Sequence, residues 1–526
     1  MMDLTKLKEH QKSKKIFEIE YKNVGELFFH QTKKNHNQVF VIFPGIETNV
    51  FTYNEFEELV LKTCKFLEIN SINQGDTISI IFLNSPEFLL IYFASLILGI
   101  TIVPINPDIS SGEIKFIINN SLSKKIIYDE KFESKILEIA QKNNEQSYLK
   151  ISSLNQFNEY EKINQIPQNV VLNDLAVIIY TSGTSGNPKG VKLSHLNLLA
   201  DAKSISEWFQ FNSKTRTLCI LPLFHNNGQI TTLLAPLYQG GSAIIVKGKM
   251  SLISFWEIVK KFDATWTSVM ASILSILLSL PKNRKDNTLN AILCGGQVLT
   301  RTVQNDFESR FHIPIFEGYG LTETTSFSCI NDFPEDYRKI GSIGKPLPCN
   351  EMEILDQNDT IMDFNTEGEI CIRGFNVADE YLGLEIKNKE SFRNGWFHSG
   401  DYGTKDKNGY FYINGRKDSL IIKGGENIYP AEVENILYQN EFVDECAVVG
   451  IPDKLLGEEI CAFIKIKEGN YSKNDLMEFC REKIAGFKCP KKIIIINELN
   501  DLTEIPKGPT KKILYKKLKE YYSKNF

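Results

Sequence analysis

The stretch YTSGTSGNPKG, residues 180–190, places three glycines, two serines, two threonines and a lysine directly behind an apolar run. Glycine lets backbone N–H groups converge, hydroxyls add donors, and a lysine adds a point charge, so the composition suits a polyphosphate. The order is not that of a Walker A loop, which ends Gly-Lys-Ser/Thr. Here Lys189 precedes Gly190, and no hydroxyl comes directly after them. A Ser/Gly-rich loop standing alone is more often only a flexible connection. Thr322 and Glu323 in YGLTETT pair a hydroxyl with a carboxylate. The alternative for such a pair is a helix start, where Thr caps and Glu favours the dipole. Asp401 in HSGDYG offers an ionised hydrogen-bond acceptor, against the alternative of an exposed turn aspartate. Gly424 and Gly425 after Lys423 leave the backbone open to close approach, or make a plain hairpin turn. His225 in LPLFHNNGQ is a lone histidine, which is usually structural. Lysines crowd the C-terminal tail (Lys507, Lys511, Lys512, Lys516, Lys517, Lys519), most of them a solvated face.

Such groups act together only if the fold gathers them. From residue 50 to about 330, short apolar runs (DTISIIFL, KKIIYD, DLAVIIY, RTLCILP, SAIIVK, LNAILCGG, IPIFEGYG) alternate with helical segments. Alternation of this kind predicts parallel βαβ units with ligands at the carboxyl ends of the strands. Four of these strands end in Gly-rich or polar loops, at residues 181–190, 224–228, 295–297 and 317–325, which predicts one composite site. Between roughly 340 and 415, NEMEILD, GEICIRG and GYFYING read as a small antiparallel β subdomain, with Asn408-Gly409 as its hairpin turn. After GRKDSLI comes a compact α+β unit, in which Pro430 suits a helix start and Ser472/Asp475 a capping box. The expected fold class is α/β. A large N-terminal domain, residues 1–415, carries the parallel units and the β subdomain, and a smaller C-terminal domain takes residues 416–526.

The totals exclude several function classes. A chain of 526 residues is long enough for two or more cores. Its net charge of −5 argues against nucleic acid as the main partner. Ten scattered cysteines, with no C-x-x-C and no secretory leader, predict reduced thiols in the cytoplasm. None of the seven histidines has a metal-ligand spacing, which argues against a tightly held zinc. The run FLLIYFASLILGITIVPI, residues 88–105, has the length of a membrane span. Gly99 and Pro104 interrupt it, so a buried helix followed by a core strand is expected instead.

Taken together, the polar stretches resemble the adenylate-forming superfamily: acyl-CoA synthetases, peptide-synthetase adenylation domains and beetle luciferases. The resemblance is carried in order by YTSGTSGNPKGV (180–191), YGLTETT (319–325), HSGDYG (398–403), INGRKDSLIIKGGENIYPAEVE (413–434) and PKGPTKKI (506–513). FTYNEFEELV (51–60) and NSPEFLLIYFASLILGITIVPINP (84–107) match its N-terminal texture, so it spans essentially the whole chain. It implies an acid–thiol ligase. A carboxylic acid and ATP give acyl-AMP and pyrophosphate, and the acyl group then passes to the thiol of CoA. ATP, CoA and Mg²⁺ are the implied small molecules, with no nucleic acid and no membrane span.

The resemblance also implies roles, residue by residue. Thr181, Ser182, Gly183, Thr184, Ser185, Gly186 and Lys189 would clamp the departing phosphates. Thr322 would contact the α-phosphate, and Glu323 would hold Mg²⁺. Tyr319 would stack on adenine, with Gly296, Gln297, Glu317 and Gly318 completing the base pocket. Asp401 would take both ribose hydroxyls, with Arg416 nearby. Asp418 would be the hinge of a mobile C-terminal domain, and Lys423, Gly424 and Gly425 would pass the pantetheine arm of CoA. Lys512 would be the catalytic lysine that bridges carboxylate and phosphate; the chain departs from the family in carrying Lys511, where glycine is usual, just before it. His225, Asn226, Asn227, Gly228, Val269, Met270, Ala271 and Gly295 would form the acid pocket, which His225 lines or gates. The amides there and Gln297 point to a polar or short acid. FHNNGQ and FWEIVKKFDATWTSV resemble carnitine- and oxalate-type CoA ligases. Three alternatives use the same residues: an enzyme loading the phosphopantetheine of a carrier protein, a luciferase-like oxygenase, and a binding-only relative. No carrier domain with its own Ser attachment motif is read behind the small domain, so free CoA is the expected acceptor over a carrier in trans, and Thr322, Glu323, Asp401, Arg416 and Lys512 are all present, so catalysis is expected over binding alone.

Overall fold

A computed structural model describes residues 17–45, 48–140, 147–181, 187–247, 252–280, 288–297, 299–467, 472–508 and 513–526. Two compact units are present: Met1–Leu299 with Val303–Met352 and Ile372–His398, and Thr300–Thr302 with Glu353–Cys371 and Ser399–Phe526.

The first unit is built on two large sheets. One has six strands in the order Ser147–Ile151, Lys125–Asp129, Thr77–Ile81, Thr101–Pro104, Leu175–Thr181, Lys189–Ser194. The other has nine, in the order Lys345–Pro346, Cys329–Ile330, Ile315–Tyr319, Ala291–Cys294, Trp266–Val269, Arg216–Cys219, Ser242–Ile245, Val39–Phe43, Asn49–Thr52. Their central ladders are parallel, as the alternation of apolar runs with helices requires. Strands of parallel sheets are covered on both faces and read as continuous apolar runs. Trp266–Val269, Ala291–Cys294 and Ser242–Ile245 are accordingly buried at every residue.

The apolar run at residues 88–105 resolves into the helix Pro86–Leu98 and the strand Thr101–Pro104. Ser85 caps the helix by accepting from Phe88 N–H, proline stands in its first turn, and Gly99 ends it at φ +68°. A side chain at that φ is strained, and a Cβ on Gly99 would also lie 2.9 Å from Val170. The helix is buried on all sides, and no described helix is long and apolar enough to cross a membrane.

The phosphate-loop candidate sits differently from a Walker A loop. Leu175–Thr181 and Lys189–Ser194 are antiparallel neighbours, with Thr181 opposite Lys189 and Tyr180 opposite Gly190. The glycine-rich turn therefore joins two strands of a hairpin, and the helix His195–Trp208 begins only after the second strand. That second strand is the last of its sheet, and its exposed backbone edge is met by a bridge from Val191 to Tyr381.

In the second unit, Glu426–Ile428, Ile421–Lys423, Gly457–Ile466 and Val443–Asp453 form a sheet, with Lys492–Ile495 pairing to Gly457–Ile466. Pro430 opens the helix Pro430–Leu437 as expected. Ser472 caps Lys473–Lys483 by accepting from Asp475 N–H at 3.1 Å; among the described bonds, only this half of the capping box is present. The turn at Asn408-Gly409 closes Trp396–Lys405 onto Phe411–Arg416, with Gly409 at φ +84°. All ten cysteines are buried and none is in a disulfide.

Candidate active site

Within the first unit, the ends of the glycine-rich hairpin are held from outside the sheet. Gly190 is tightly packed: a Cβ would lie 3.0 Å from both Ile178 and the Tyr180 ring, which would have to give way. Residues 378–382 run along the edge. Leu382 N–H donates to Gly190 O at 2.8 Å, Lys192 N–H donates to Glu380 O at 3.3 Å, and the Lys192 ammonium pairs with Glu380 at 2.6 Å. Lys189 Nζ lies 5.3 Å from the centre of the Tyr381 ring. Ser182, Gly183, Thr184, Ser185 and Gly186 fall outside the described residues.

The Thr322–Glu323 pair lies in a 3₁₀ turn, Thr322–Thr324, at the carboxyl end of the strand Ile315–Tyr319, and not at the start of an α-helix. Local bonds fold the turn: Leu321 N–H donates to Thr324 Oγ1 at 3.1 Å, and Ser328 Oγ to Thr324 Oγ1 at 2.7 Å. Thr325 takes φ +66°, a costly conformation for a β-branched residue, and its hydroxyl is tied to Asn376 O at 2.7 Å. Asn376 Nδ2 in turn donates to Phe327 O at 2.9 Å, Thr324 O at 3.2 Å and Asp201 Oδ1 at 3.3 Å. Asp201 is fully buried and also accepts from Phe327 N–H at 3.2 Å. Burial pushes its carboxyl well above the usual range, against those hydrogen bonds. Glu323 is fastened at both ends: its carbonyl accepts from Ala378 N–H at 2.8 Å, and its Oε1 from the Tyr381 hydroxyl at 2.7 Å. Glu323 and Thr322 remain partly exposed.

The base-pocket and acid-pocket residues come from neighbouring strand ends. A Cβ on Gly295 would lie 2.6 Å from the Phe327 ring and 2.9 Å from Gly318 O, so both strand ends need glycine under that ring. Gly296 turns at φ +76° beside Met270, and Gln297 Oε1 accepts from Ser272 N–H at 3.2 Å, which joins the loops after Trp266–Val269 and Ala291–Cys294. Tyr319 is buried. Burial pushes the Glu317 carboxyl up to about 8, with a hydrogen bond from the Leu299 backbone pulling the other way.

Asn84 splints the segment that leads to His225, with Nδ2 donating to Leu221 O and Val246 O at 3.0 Å each, and Leu223 N–H donating to its Oδ1 at 2.8 Å. The His225 ring lies 4.8 Å from that of Phe224. A Cβ on Gly228 would come 2.6 Å from Pro222 O. Asn227–Leu234 is a π-helix, in which Ala235 N–H reaches back to Ile230 O. π segments recur at functional sites. Asn226 is 6% exposed, yet neither Oδ1 nor Nδ2 has a hydrogen-bond partner among the described residues, and Asn227 Oδ1 and Ser268 Oγ are buried in the same state. A small internal cavity is lined by Thr231, Ser268 and Leu293 among others, and Thr231 Oγ1 lies 3.0 Å from Ser326 Oγ in the loop after the 3₁₀ turn.

The second unit holds the remaining polar candidates. Asp401 is 6% exposed, stands opposite Arg416 in the ladder, and accepts from Arg416 Nη1 at 3.3 Å. Gly400, at φ +74°, donates its N–H to Glu369 Oε1 at 2.9 Å, which shapes the turn before Asp401. Lys423 forms a buried ion pair with Glu459 at 2.5 Å. Gly424 and Gly425, at φ +60° and +91°, make the hairpin turn that follows it, with open space beside Gly425. The backbone of Asp418 belongs to the turn Lys417–Ser419, while its side chain is not described. Lys511 and Lys512 lie outside the described residues.

Asp201, Asn376 and Tyr381 were not singled out from the sequence; Tyr381 holds Glu323, Asn376 braces the Thr324–Thr325 backbone and hydroxyl of the same motif, and Asp201 braces Asn376 and Phe327. Each sits inside a segment that reads as ordinary helix or connection. The one available signal was an aspartate on the apolar side of SHLNLLADAKSISEW.

Residues 28–382 match the family model described as AMP-binding enzyme, and residues 432–505 match the AMP-binding enzyme C-terminal domain. The chain is 32% identical over 444 residues to an oxalate–CoA ligase of Arabidopsis thaliana, covering 81% of this chain and 86% of that one. It is 30% identical over 476 residues to a 2-succinylbenzoate–CoA ligase of Bacillus anthracis, covering 90% and 94%. Among solved structures, o-succinylbenzoate CoA synthetase from Bacillus subtilis, in complex with the acyl-adenylate intermediate OSB-AMP, superposes with a TM-score of 0.84 at 28% identity, covering 95% of this chain and 98% of that one.

Proposed function

This chain belongs to the AMP-binding enzyme family, and from that premise we infer that it is an AMP-forming acid–CoA ligase. A carboxylate oxygen of the acid attacks the α-phosphorus of ATP, and the bond to the β-phosphate oxygen breaks. Acyl-AMP and pyrophosphate result. The sulfur of CoA then attacks the acyl carbon, AMP leaves with the electrons of the C–O bond, and the thiol proton passes to solvent.

The observation that carries this inference is the tie between the hairpin bearing Lys189 and the turn bearing Thr322 and Glu323, made within one unit by residues 376–382. Placement and charge neutralisation supply most of the acceleration in such a reaction, because the protein forms no bond to the substrate. Lys189, with the hydroxyls of Thr181, Ser182, Thr184 and Ser185 and the N–H groups of Gly183 and Gly186, clamps the leaving phosphates. Thr322 donates to the α-phosphate. The donor set at Thr322 and Glu323 is oxygen only, which fits Mg²⁺; when bound, that ion would neutralise phosphate charge. Tyr319 covers the adenine, with Gly296, Gln297, Glu317 and Gly318 around it. Asp401 accepts from the ribose hydroxyls beside Arg416. Lys512 neutralises the carboxylate and α-phosphate as they meet. Lys423, Gly424 and Gly425 line the path of the CoA arm.

Residues 416–526 act as a C-terminal domain that turns about Asp418 between the two half-reactions, against an N-terminal domain of residues 1–415. The ten buried thiols fit a cytoplasmic setting. The buried amide of Asn226, in a pocket assigned also to His225, Gly228, Met270 and Gly295, supports an acid that carries a second hydrogen-bonding group. A pyrophosphate-release screen across short, polar, aromatic and fatty acids, with and without CoA, tests all of this. AMP, pyrophosphate and a thioester should form with a polar acid; no release with any acid class would overturn the assignment, and release only with long alkyl acids would overturn the polar pocket.

A further inference from the structure

We propose that Tyr381 is a positioning residue that sets Glu323 for its divalent cation and, on the same ring, carries Lys189 for the leaving pyrophosphate. This rests on the roles given above to Glu323 and Lys189.

Tyr381 is 3% exposed, and its ring packs on Phe392 with centroids 5.4 Å apart. Its backbone pairs with Val191, and the neighbouring Leu382 N–H is bonded to Gly190 O, so the ring has a fixed origin relative to the hairpin. The hydroxyl donates to one carboxylate oxygen of Glu323 at 2.7 Å. Glu323 is partly exposed, and the side-chain hydrogen bond described for it involves Oε1, which leaves Oε2 as the oxygen proposed for the cation. A neutral donor suits this task. An ammonium or guanidinium in its place would orient the carboxylate equally well but would cancel the charge the cation needs. The ring face holds the Lys189 ammonium at 5.3 Å by its quadrupole, again without cancelling charge. One side chain thereby contacts an anion and a cation that have opposite duties toward MgATP. A tyrosine that merely filled space would do so through its ring, and its hydroxyl would be dispensable.

The test uses the full chain, with Mn²⁺ as the cation probe, read by electron paramagnetic resonance in the presence of ATP. Tyr381→Phe keeps the packing on Phe392 and removes only the hydroxyl. Loss of a hydrogen bond to a charged group predicts Mn²⁺ affinity about tenfold weaker, and a matching rise in the Mg²⁺ needed for half-maximal pyrophosphate release. AMP affinity and melting temperature should stay at wild-type values. Tyr381→Leu should in addition weaken ATP binding measured in EDTA, because Lys189 loses its platform, whereas Tyr381→Phe should not. If Glu323→Gln weakens Mn²⁺ binding but Tyr381→Phe does not, the positioning role is wrong and the Glu323 assignment stands. If neither weakens it, the Glu323 assignment is wrong as well. Parallel losses of Mn²⁺ affinity, AMP affinity and melting temperature in Tyr381→Phe would make the residue structural and overturn the proposal.

Discussion

Asp401 concentrates a large role in one carboxylate. It is buried at the end of a turn shaped by the Gly400 N–H bond to Glu369, and its described partner in the ladder is Arg416, whose side chain is 46% exposed. An ion pair with one exposed member contributes little to stability. Asp401→Ala should therefore leave the melting temperature nearly unchanged. Hydrogen bonds between ribose hydroxyls and an ionised acceptor are worth roughly 1.5–3 kcal/mol. The same variant should raise the KM for ATP by about ten- to a hundredfold, measured by pyrophosphate release; an unchanged KM would remove Asp401 from the ribose site. At this scale the sequence offers candidates wherever a polar side chain sits within its own short stretch, as Thr322, Glu323, Asp401 and Lys189 do. It is silent on the side chains that hold them. Tyr381 meets Glu323 across 58 positions, and Asn376 meets Asp201 across 175. Contacts of that span leave no local periodicity or spacing to read.

Elements were legible where a local rule forces them. Pro430 opening a helix, Asn408-Gly409 closing a hairpin, and Gly99 ending a buried helix all follow from backbone chemistry that one or two residues decide. The hairpin under the glycine-rich loop follows a different logic, because an apolar strand says nothing about whether its successor pairs beside it or crosses over. At the same scale, the helix Pro430–Leu437 carries a pH response. Glu434 is buried, accepts from Val448 N–H at 2.8 Å and from the Tyr515 hydroxyl at 3.1 Å, and burial pushes its carboxyl up to about 7. A folded-state value raised above the unfolded one gives a contribution that is complete below about pH 4.5 and lost as pH climbs through 7. Unfolding of the second unit by urea should lose up to about 3 kcal/mol of stability between those limits. Glu434→Gln should flatten that slope. An identical slope in the variant would show that another group causes it.

Across the whole molecule, sequence texture revealed the parallel βαβ units and the α+β C-terminal part, because alternating apolar runs and helical segments are a long-range regularity; it did not show that the parallel strands divide between two sheets. The expected organisation into residues 1–415 and 416–526 carries a kinetic prediction. Asp418→Pro should slow thioester formation from acyl-AMP far more than pyrophosphate release, and Lys512→Ala should do the reverse; stopped-flow measurement of the two half-reactions separates them. Equal slowing of both steps in either variant would dissolve the division of labour. The π-helix Asn227–Leu234 has a consequence of its own. Its bonds span one residue more than those of an α-helix, so the segment holds about one residue beyond what ordinary pitch needs over the same turns, and deleting a single residue would let it relax to that pitch. With Asn226 and His225 in the acid pocket as proposed, chain length at this segment becomes a variable of its own: a one-residue deletion there should change which acids release pyrophosphate, and an unchanged acid profile would separate the π-helix from the pocket.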